Sequence, residues 1–433
     1  MTRGVARVKA TAGFLAALGV VVALFACGEA SAAAVPETPR VAIVTMGPGD
    51  DFVTKFGHDA LVVESAGQPA RIYNFGMYTE ESLTLGRILG GELRYFLHVS
   101  EYGRTIAYYR SHNRGVVLQE LELDPAEARE LARALAENAR PENAAYHYDF
   151  GLANCTTRVR DALDRASRGA LRAAIRGPSP YTFRDHALRF SASDPTLYFA
   201  FDLGLGAPAD RQLDAWQDAF LPDRLASYAG KLRRPGARGS RPFVGAEHVV
   251  FRADRAPTPA HPPRRAPAFA LAGLLLGGLF AGLGRLRTRA ATLARGLLLA
   301  LLALVAGVLG CSLVVLLMSD VHAVAHRNVN LLFCPPWALG LLPAAARLVF
   351  SRPPSERRWP ELACLAGSLL GVLLMLLVRQ DSGRIALLFV PIWAGVWLGA
   401  RVRDLPPAAG QRSPVPPVHS PIESGAQAGR DLA

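Results

Sequence analysis

Cys155 is the only cysteine in residues 40–255; the others are Cys27, Cys311, Cys334 and Cys364. A lone thiol in an exported domain has no internal disulfide partner, so its presence asks for another reason. It sits in Asn154-Cys155-Thr156-Thr157, where Asn is a good N-cap and Val159, Ala162, Leu163 and Ala166 follow at helical spacing. The thiol then falls in the first turn of a helix, where unpaired N–H groups and the helix dipole favour a thiolate. We read Cys155 as a nucleophile. The competing reading is a small core residue, because Cys155 shares the apolar stripe of its helix.

A thiol nucleophile calls for a base. Of the ten histidines, His58 stands after Gly57 at the mouth of an apolar run, His58-Asp59-Ala60-Leu61-Val62-Val63. The segment Arg71-Ile72-Tyr73-Asn74-Phe75-Gly76 follows after a turn centred near Gly67. A hairpin symmetric about that turn sets Ala60 opposite Asn74 and His58 opposite Gly76. Alternation then puts His58 and Asn74 on one face as diagonal neighbours and Tyr73 on the other. His147 is a rival base, whereas His98, His112, His186 and His248 read as solvent-facing or structural. Close Cys/His pairs at metal-ligand spacing, a phosphate-binding Gly-rich loop and a G-x-S-x-G elbow are all missing from the sequence, so we expect no metal and no cofactor.

The elements that must position these residues follow from the same patterns. Val41–Val44, His58–Val63, Arg71–Gly76 and Val116–Leu118 read as strands. Asp124-Pro125 opens a helix that runs to about Asn138. The fold class is α+β over residues 40–255.

The chain has 433 residues, a charged fraction of 19% and a formal net charge of +12. Arg3, Arg7 and Lys9 precede an apolar run near 11–26, which reads as a signal peptide or signal anchor over 1–34. Leu24-Phe25-Ala26-Cys27 is an alternative lipobox. After a Pro/Arg-rich linker (256–266), apolar runs of spanning length at about 267–285, 294–318, 329–350, 360–378 and 384–401 predict five transmembrane helices within 267–403. Arginines crowd the first connection (Arg285, Arg287, Arg289, Arg295), the third (Arg352, Arg357, Arg358) and the start of the tail (Arg401, Arg403). By the positive-inside rule these lie in the cytoplasm, and residues 40–255 lie outside. Topology thus absorbs much of the positive charge, and we expect no nucleic-acid partner. The Pro/Ala/Ser-rich 404–433 reads as a disordered cytoplasmic tail.

Phe56-Gly57-His58-Asp59, Tyr73-Asn74-Phe75-Gly76, Tyr146-x-Tyr148-Asp149-Phe150 and Asn154-Cys155-Thr156-Thr157 together resemble the Lnb-type lipoprotein N-acyltransferase family. Phe220-Leu221-Pro222-Asp223, Ser319-Asp320-Val321-His322 and Asn328-Val329-Asn330-Leu331-Leu332 fit its pattern too. The resemblance spans roughly 40–400, although Cys334-Pro335-Pro336 stands where an Asn/His-Pro-Leu type segment is expected. The order of His before Cys is also similar to circularly permuted papain-like folds, including lecithin:retinol acyltransferases. The resemblance implies a periplasmic thiol acyltransferase domain joined to five helices in the bacterial inner membrane. Its partners would be a phospholipid acyl donor and a diacylglyceryl lipoprotein acceptor. Cys155 would carry the acyl group as a thioester, His58 would move the proton and Asn74 would orient the imidazole. Asn154, Thr156, Tyr73, His322, Asn328 and Asn330 are the expected substrate-binding residues. Two alternatives remain at this point: a membrane-tethered cysteine amidase or peptidase of the cell wall, and a non-catalytic binding module with a structural Cys155.

Overall fold

A computed structural model describes residues 38–79, 84, 86–87, 93–236, 239–319, 322–351 and 359–401. The expected signal segment, Cys27, the expected tail, and Asp320 and Val321 lie outside the described residues. The N-terminal half is mixed α and β. Its strands are β1 (Arg40–Met46), β2 (His58–Glu64), β3 (Arg71–Met77), β4 (Arg94–Glu101), β5 (Val116–Leu121), β6 (Ala145–His147) and β7 (Val244–Phe251). They form one antiparallel sheet in the order β7-β5-β1-β2-β3-β4-β6. Leu61 pairs with Tyr73 and Val62 with Ile72, the register that a turn symmetric about Gly67 predicts.

The helices of eight or more residues in this half are α1 (Tyr102–Ser111), α2 (Pro125–Asn138), α3 (Cys155–Ala166), α4 (Phe183–Phe190), α5 (Pro195–Gly204) and α6 (Pro222–Lys231). Helix α2 starts as its sequence asks: Pro125 needs no N–H partner at the first position, and the Asp124 N–H donates to the Glu127 carboxylate at 3.0 Å. The sheet is buried on both faces because its central strands are apolar at successive positions, not only at alternate ones. On one face Ile43, Leu61, Tyr73 and Phe75 pack against α2, α3 and α6. On the other, Val44, Met46, Ala60 and Ile72 pack against Ile106 and Tyr109 of α1. Helix α3 therefore lies over β2 and β3 with its first residue near the ends of both.

Residues 252–265 carry no helix or strand, and five helical segments long and apolar enough to cross a membrane follow. Four are the helices α7 (Ala266–Arg285), α8 (Arg289–Met318), α10 (Trp359–Val378) and α11 (Gly383–Arg401). The remaining one, Val329–Val349, is broken. Two 3-10 turns, Val329–Leu332 and Pro336–Leu341, flank Cys334-Pro335 before α9 (Leu342–Val349) completes it. Prolines remove the donors that would continue the helix, and the freed carbonyl of Phe333 accepts from Trp393 Nε1 at 2.9 Å. Irregular backbone is tolerated there because Phe333, Cys334 and Ala338 are fully buried among the other helices.

The two halves are bound at the C-terminal end of α5. Its last carbonyls accept from the side-chain amides of Asn328 (Leu203 and Gly204, both 2.9 Å) and Asn330 (Asp202, 3.0 Å; Leu203, 2.9 Å). The buried Asp202 carboxylate takes a two-pronged pair from Arg384 of α11 at 2.8 and 2.9 Å, and Arg184 of α4 adds a longer contact at 3.4 Å. These bonds satisfy a helix terminus that would otherwise be buried without partners.

Candidate active site

The tip of α3 is held by Asn154. Its amide oxygen accepts from the Thr157 N–H at 2.8 Å, and the Thr157 hydroxyl accepts from the Asn154 N–H at 2.8 Å, a reciprocal cap. The Asn154 amide nitrogen donates to the carbonyls of Phe150 (2.7 Å) and Phe220 (3.0 Å). Every polar group of the side chain is thus spent on scaffolding. The binding role expected for Asn154 gives way to a structural one: it pins the nucleophile's helix to two loops. The Phe-Leu-Pro-Asp element gains its meaning here, since Phe220 offers that carbonyl and Pro222 lies beside Gly57.

Cys155 is half-buried and packs on Gly76, where a methyl in place of the glycine hydrogen would lie 3.3 Å from the cysteine Cβ. Gly76 has φ +87°, a conformation that only glycine adopts freely, so β3 can bend beneath the thiol. His58 starts β2, three residues beyond the last β2–β3 pair, Leu61 with Tyr73, and that register continued would carry it toward the same glycine. The thiol, on the α3 face, and the imidazole, on the α1 face, lie at the same end of the sheet, where both also feel the charge of Arg114. The His58 ring stacks at 6.4 Å on Tyr109.

Asn74 acts on the imidazole as a hydrogen-bond partner. Its orientation is set by a hydroxyl chain. The Thr105 hydroxyl donates to the Glu101 carbonyl (3.2 Å), so in its contact with Ser100 (2.8 Å) it must accept. Ser100 Oγ is then free to accept from Asn74 Nδ2 at 3.1 Å, which leaves the Asn74 amide oxygen for an imidazole N–H. His58 Nε2 is buried with no partner, so it is the ring nitrogen left open to take a proton.

Electrostatics at the site differ from the expectation of a ready thiolate. Burial pushes the Cys155 thiol upward, while the Asp59 N–H, the Thr156 hydroxyl and the N–H groups of Thr156 and Cys155 pull it back only in part. Burial, reinforced by Arg114, lowers His58 to about 4, and Asp59 and Asn74 offset this incompletely. Desolvation outweighs the helix N-terminus, so the resting pair is neutral thiol and neutral imidazole. Proton transfer then has to accompany attack, not precede it.

Sequence reasoning overlooks Asp59. It faces α3, opposite to His58, and is fully buried; its carboxylate accepts from Thr45 Oγ1 at 2.8 Å and interacts with the Thr156 hydroxyl. Its second oxygen has no partner. Burial first, and the nearby Cys155 second, raise it to about 7. An aspartate inside an otherwise apolar strand, beside a candidate base, was the available signal.

The other expected residues fall in three places. Thr156 is fully buried beside the thiol (Oγ1 to Sγ, 3.9 Å) and contacts Asp59. Tyr73 lies in the core of the α3 face, where it supports the helix. Asn328 and Asn330 spend their amide nitrogens on the α5 carbonyls, and the Asn328 oxygen accepts from Gln380 at 2.9 Å, so they join the two halves instead of offering an open binding surface. His322 lies in the same connection, with its carbonyl accepting from the Ala325 N–H at 2.8 Å. The rival base His147 is exposed on the edge strand β6, while its neighbours Tyr146 and Tyr148 feel Cys155. His186 is buried with Nε2 on Asp218 at 2.6 Å, but Arg189 donates to its other nitrogen, so both ring atoms are engaged structurally. Among the described residues, no group of three His, Cys, Asp or Glu side chains is placed to hold a metal.

A mixed α and β domain with a thiol at a helix tip, joined to five apolar helices, describes a multi-pass membrane protein. Residues 29–188 match the family model of the Lnb N-terminal periplasmic domain. The match takes in His58, Asn74 and Cys155 and ends before the first apolar helix. No curated protein and no solved structure matches the chain.

Proposed function

We propose that this protein is a thiol-dependent lipoprotein N-acyltransferase of the bacterial inner membrane. The observation that carries the reading is the placing of Cys155 at a helix tip, against Gly76 and the Asp59 N–H, at the end of the sheet where His58 starts β2, in a domain bound directly to membrane-crossing helices. In the first half-reaction, Cys155 Sγ attacks the ester carbonyl of a phospholipid while His58 Nε2 takes the thiol proton. The N–H groups at the start of α3 are available to the oxyanion, a contribution that in other enzymes is worth about 3–4 kcal/mol per donor. Collapse breaks the ester C–O bond, the imidazolium returns its proton to the leaving alkoxide, and lysophospholipid departs from a Cys155 thioester.

In the second half-reaction, the α-amino group of a diacylglyceryl-cysteine attacks the thioester. His58 accepts the amine proton and passes it to the departing thiolate, which restores the neutral pair. Amide formation from a thioester runs downhill without a nucleotide, as an exported site requires. Asn74 orients the imidazole throughout, and Nε2 is the nitrogen that takes and returns each proton. The order of His58 before a helix-tip Cys155, over an antiparallel sheet, supports reading the domain as a circularly permuted papain-like fold.

The test is mass spectrometry of a reporter lipoprotein's N-terminal peptide in cells that lack their own N-acyltransferase. An added acyl mass with the wild-type protein, absent with Cys155→Ala, is the expected result. An unmodified N-terminus with well-expressed wild type would overturn the reading in favour of a cell-wall amidase or peptidase.

A further inference from the structure

Before Ala266, six large apolar side chains are exposed among the described residues: Phe52, Val53, Met77, Tyr108, Leu152 and Val249. Four of them come from the three segments that carry the site. Phe52 and Val53 lie in the turn entering His58, Met77 follows Gly76, and Leu152 stands three residues before Cys155. A soluble surface scatters such residues singly, whereas several of them flanking one site mark a contact.

These side chains are presented by ordered backbone. Asp149 Oδ1 accepts from the N–H groups of Gly151 (2.8 Å) and Leu152 (2.7 Å), and Asp149 bridges to Ala153, so the loop holds Leu152 outward at 78% exposure. Phe52 stacks at 5.9 Å on Phe201 of α5. Two residues later in the same helix, Leu203 is buried in the core of the membrane half, and Asn328 and Asn330 hold its carbonyl. Phe52 is thus tied to the same helix that meets the membrane-crossing segments.

We propose that Phe52, Val53, Met77 and Leu152 form a lipid-facing mouth, set into the outer-leaflet surface of the membrane that the five helices cross. The occupant is the acyl-chain region of that leaflet. An acyl chain reaches Cys155 through the mouth without crossing water, and the polar headgroup stays at the interface. This deepens the acyltransferase reading and rests on it for the chemistry, but the contact with lipid is measurable by itself.

The full chain in a Cys155→Ser/Cys311→Ser background carries Leu152→Cys or, as a control, Val249→Cys. Each is labelled with a thiol-reactive bimane in detergent and then reconstituted in phosphatidylethanolamine/phosphatidylglycerol vesicles with or without lipids spin-labelled on the acyl chain. Strong quenching at position 152 with little at 249 is expected; equal or no quenching at 152 overturns the proposal. With Cys155 restored, Leu152→Asp and Phe52→Asp should slow acylation of Cys155 from phospholipid at least tenfold, while Val249→Asp does not. Undiminished acylation in both mouth variants would also overturn it. Quenching at 152 in a wild-type protein that transfers no acyl group would sink the acyltransferase reading and leave the lipid mouth standing.

Discussion

His58 and Asp59 are adjacent, point to opposite faces of β2, and are shifted in ways that oppose each other in the pH dependence of stability. His58 falls from 6.5 to about 4, so the folded state resists its protonation; its contribution is present above 6.5 and is lost as pH falls toward 4. Asp59 rises from 3.8 to about 7, so the folded state prefers its proton; stability is lost as pH climbs from about 4 to 7. Each effect is on the order of a few kcal/mol, and in the wild type the two largely cancel between pH 4 and 7. Chemical denaturation across that range should expose them separately: Asp59→Asn leaves a protein that gains stability with rising pH, and His58→Gln one that loses it. Ser100→Ala tests the hydroxyl chain. It should lower kcat for acyl transfer about tenfold with KM nearly unchanged, since only the amide orientation of Asn74 is released. The diagonal pairing of His58 and Asn74 was legible in the sequence because a two-strand hairpin has period two and a recognisable turn. Ser100, 26 residues further on, was not, because β3 and β4 are joined by a long connection that fixes no register between them. Desolvation of the thiol was equally invisible, since it depends on everything packed around the helix tip.

At the scale of elements, α3 is positioned by a cap and a glycine. Asn154→Ala removes the bond to the Thr157 N–H and both tethers to Phe150 and Phe220. We expect a loss of about 1–2 kcal/mol from the cap, measured by urea unfolding, with a larger fractional loss of acyl transfer as the tip drifts. Gly76→Ala sets a methyl against the Cys155 Cβ and forces a left-handed backbone, a strain of about 1–2 kcal/mol. Its activity loss should exceed its stability loss, because the carbon most displaced carries the sulfur. The limits of α2 and α3 could be read from Asp124-Pro125 and from Asn154 because capping is local chemistry. The break in the third apolar segment was foreshadowed only as an odd Cys334-Pro335-Pro336. Hydropathy reports how long a segment stays apolar, not whether its backbone stays helical.

At the scale of the molecule, the joint between the halves is a buried network centred on Asp202. Removing Arg384, as in Arg384→Met, leaves the carboxylate to the longer Arg184 contact, with an expected cost of about 3–5 kcal/mol. Thermal unfolding in detergent should show a lowered midpoint, and the double variant Asp202→Asn/Arg384→Met should recover part of it. The five spans were legible from hydropathy. The joint was not, because Asn328 and Asn330 have the look of ligand groups in a sequence that does not show the α5 carbonyls they hold. Asp202 and Arg384 are separated by 182 residues, and Arg384 belongs to the last helix. A chain made from its N-terminus exports the sheet domain first, with Asp202 waiting for a partner that is still to be synthesised. Docking of the two halves is therefore the closing event of biogenesis, and a prematurely ended chain lacking α11 would leave an incompletely paired acidic joint exposed to quality-control proteases.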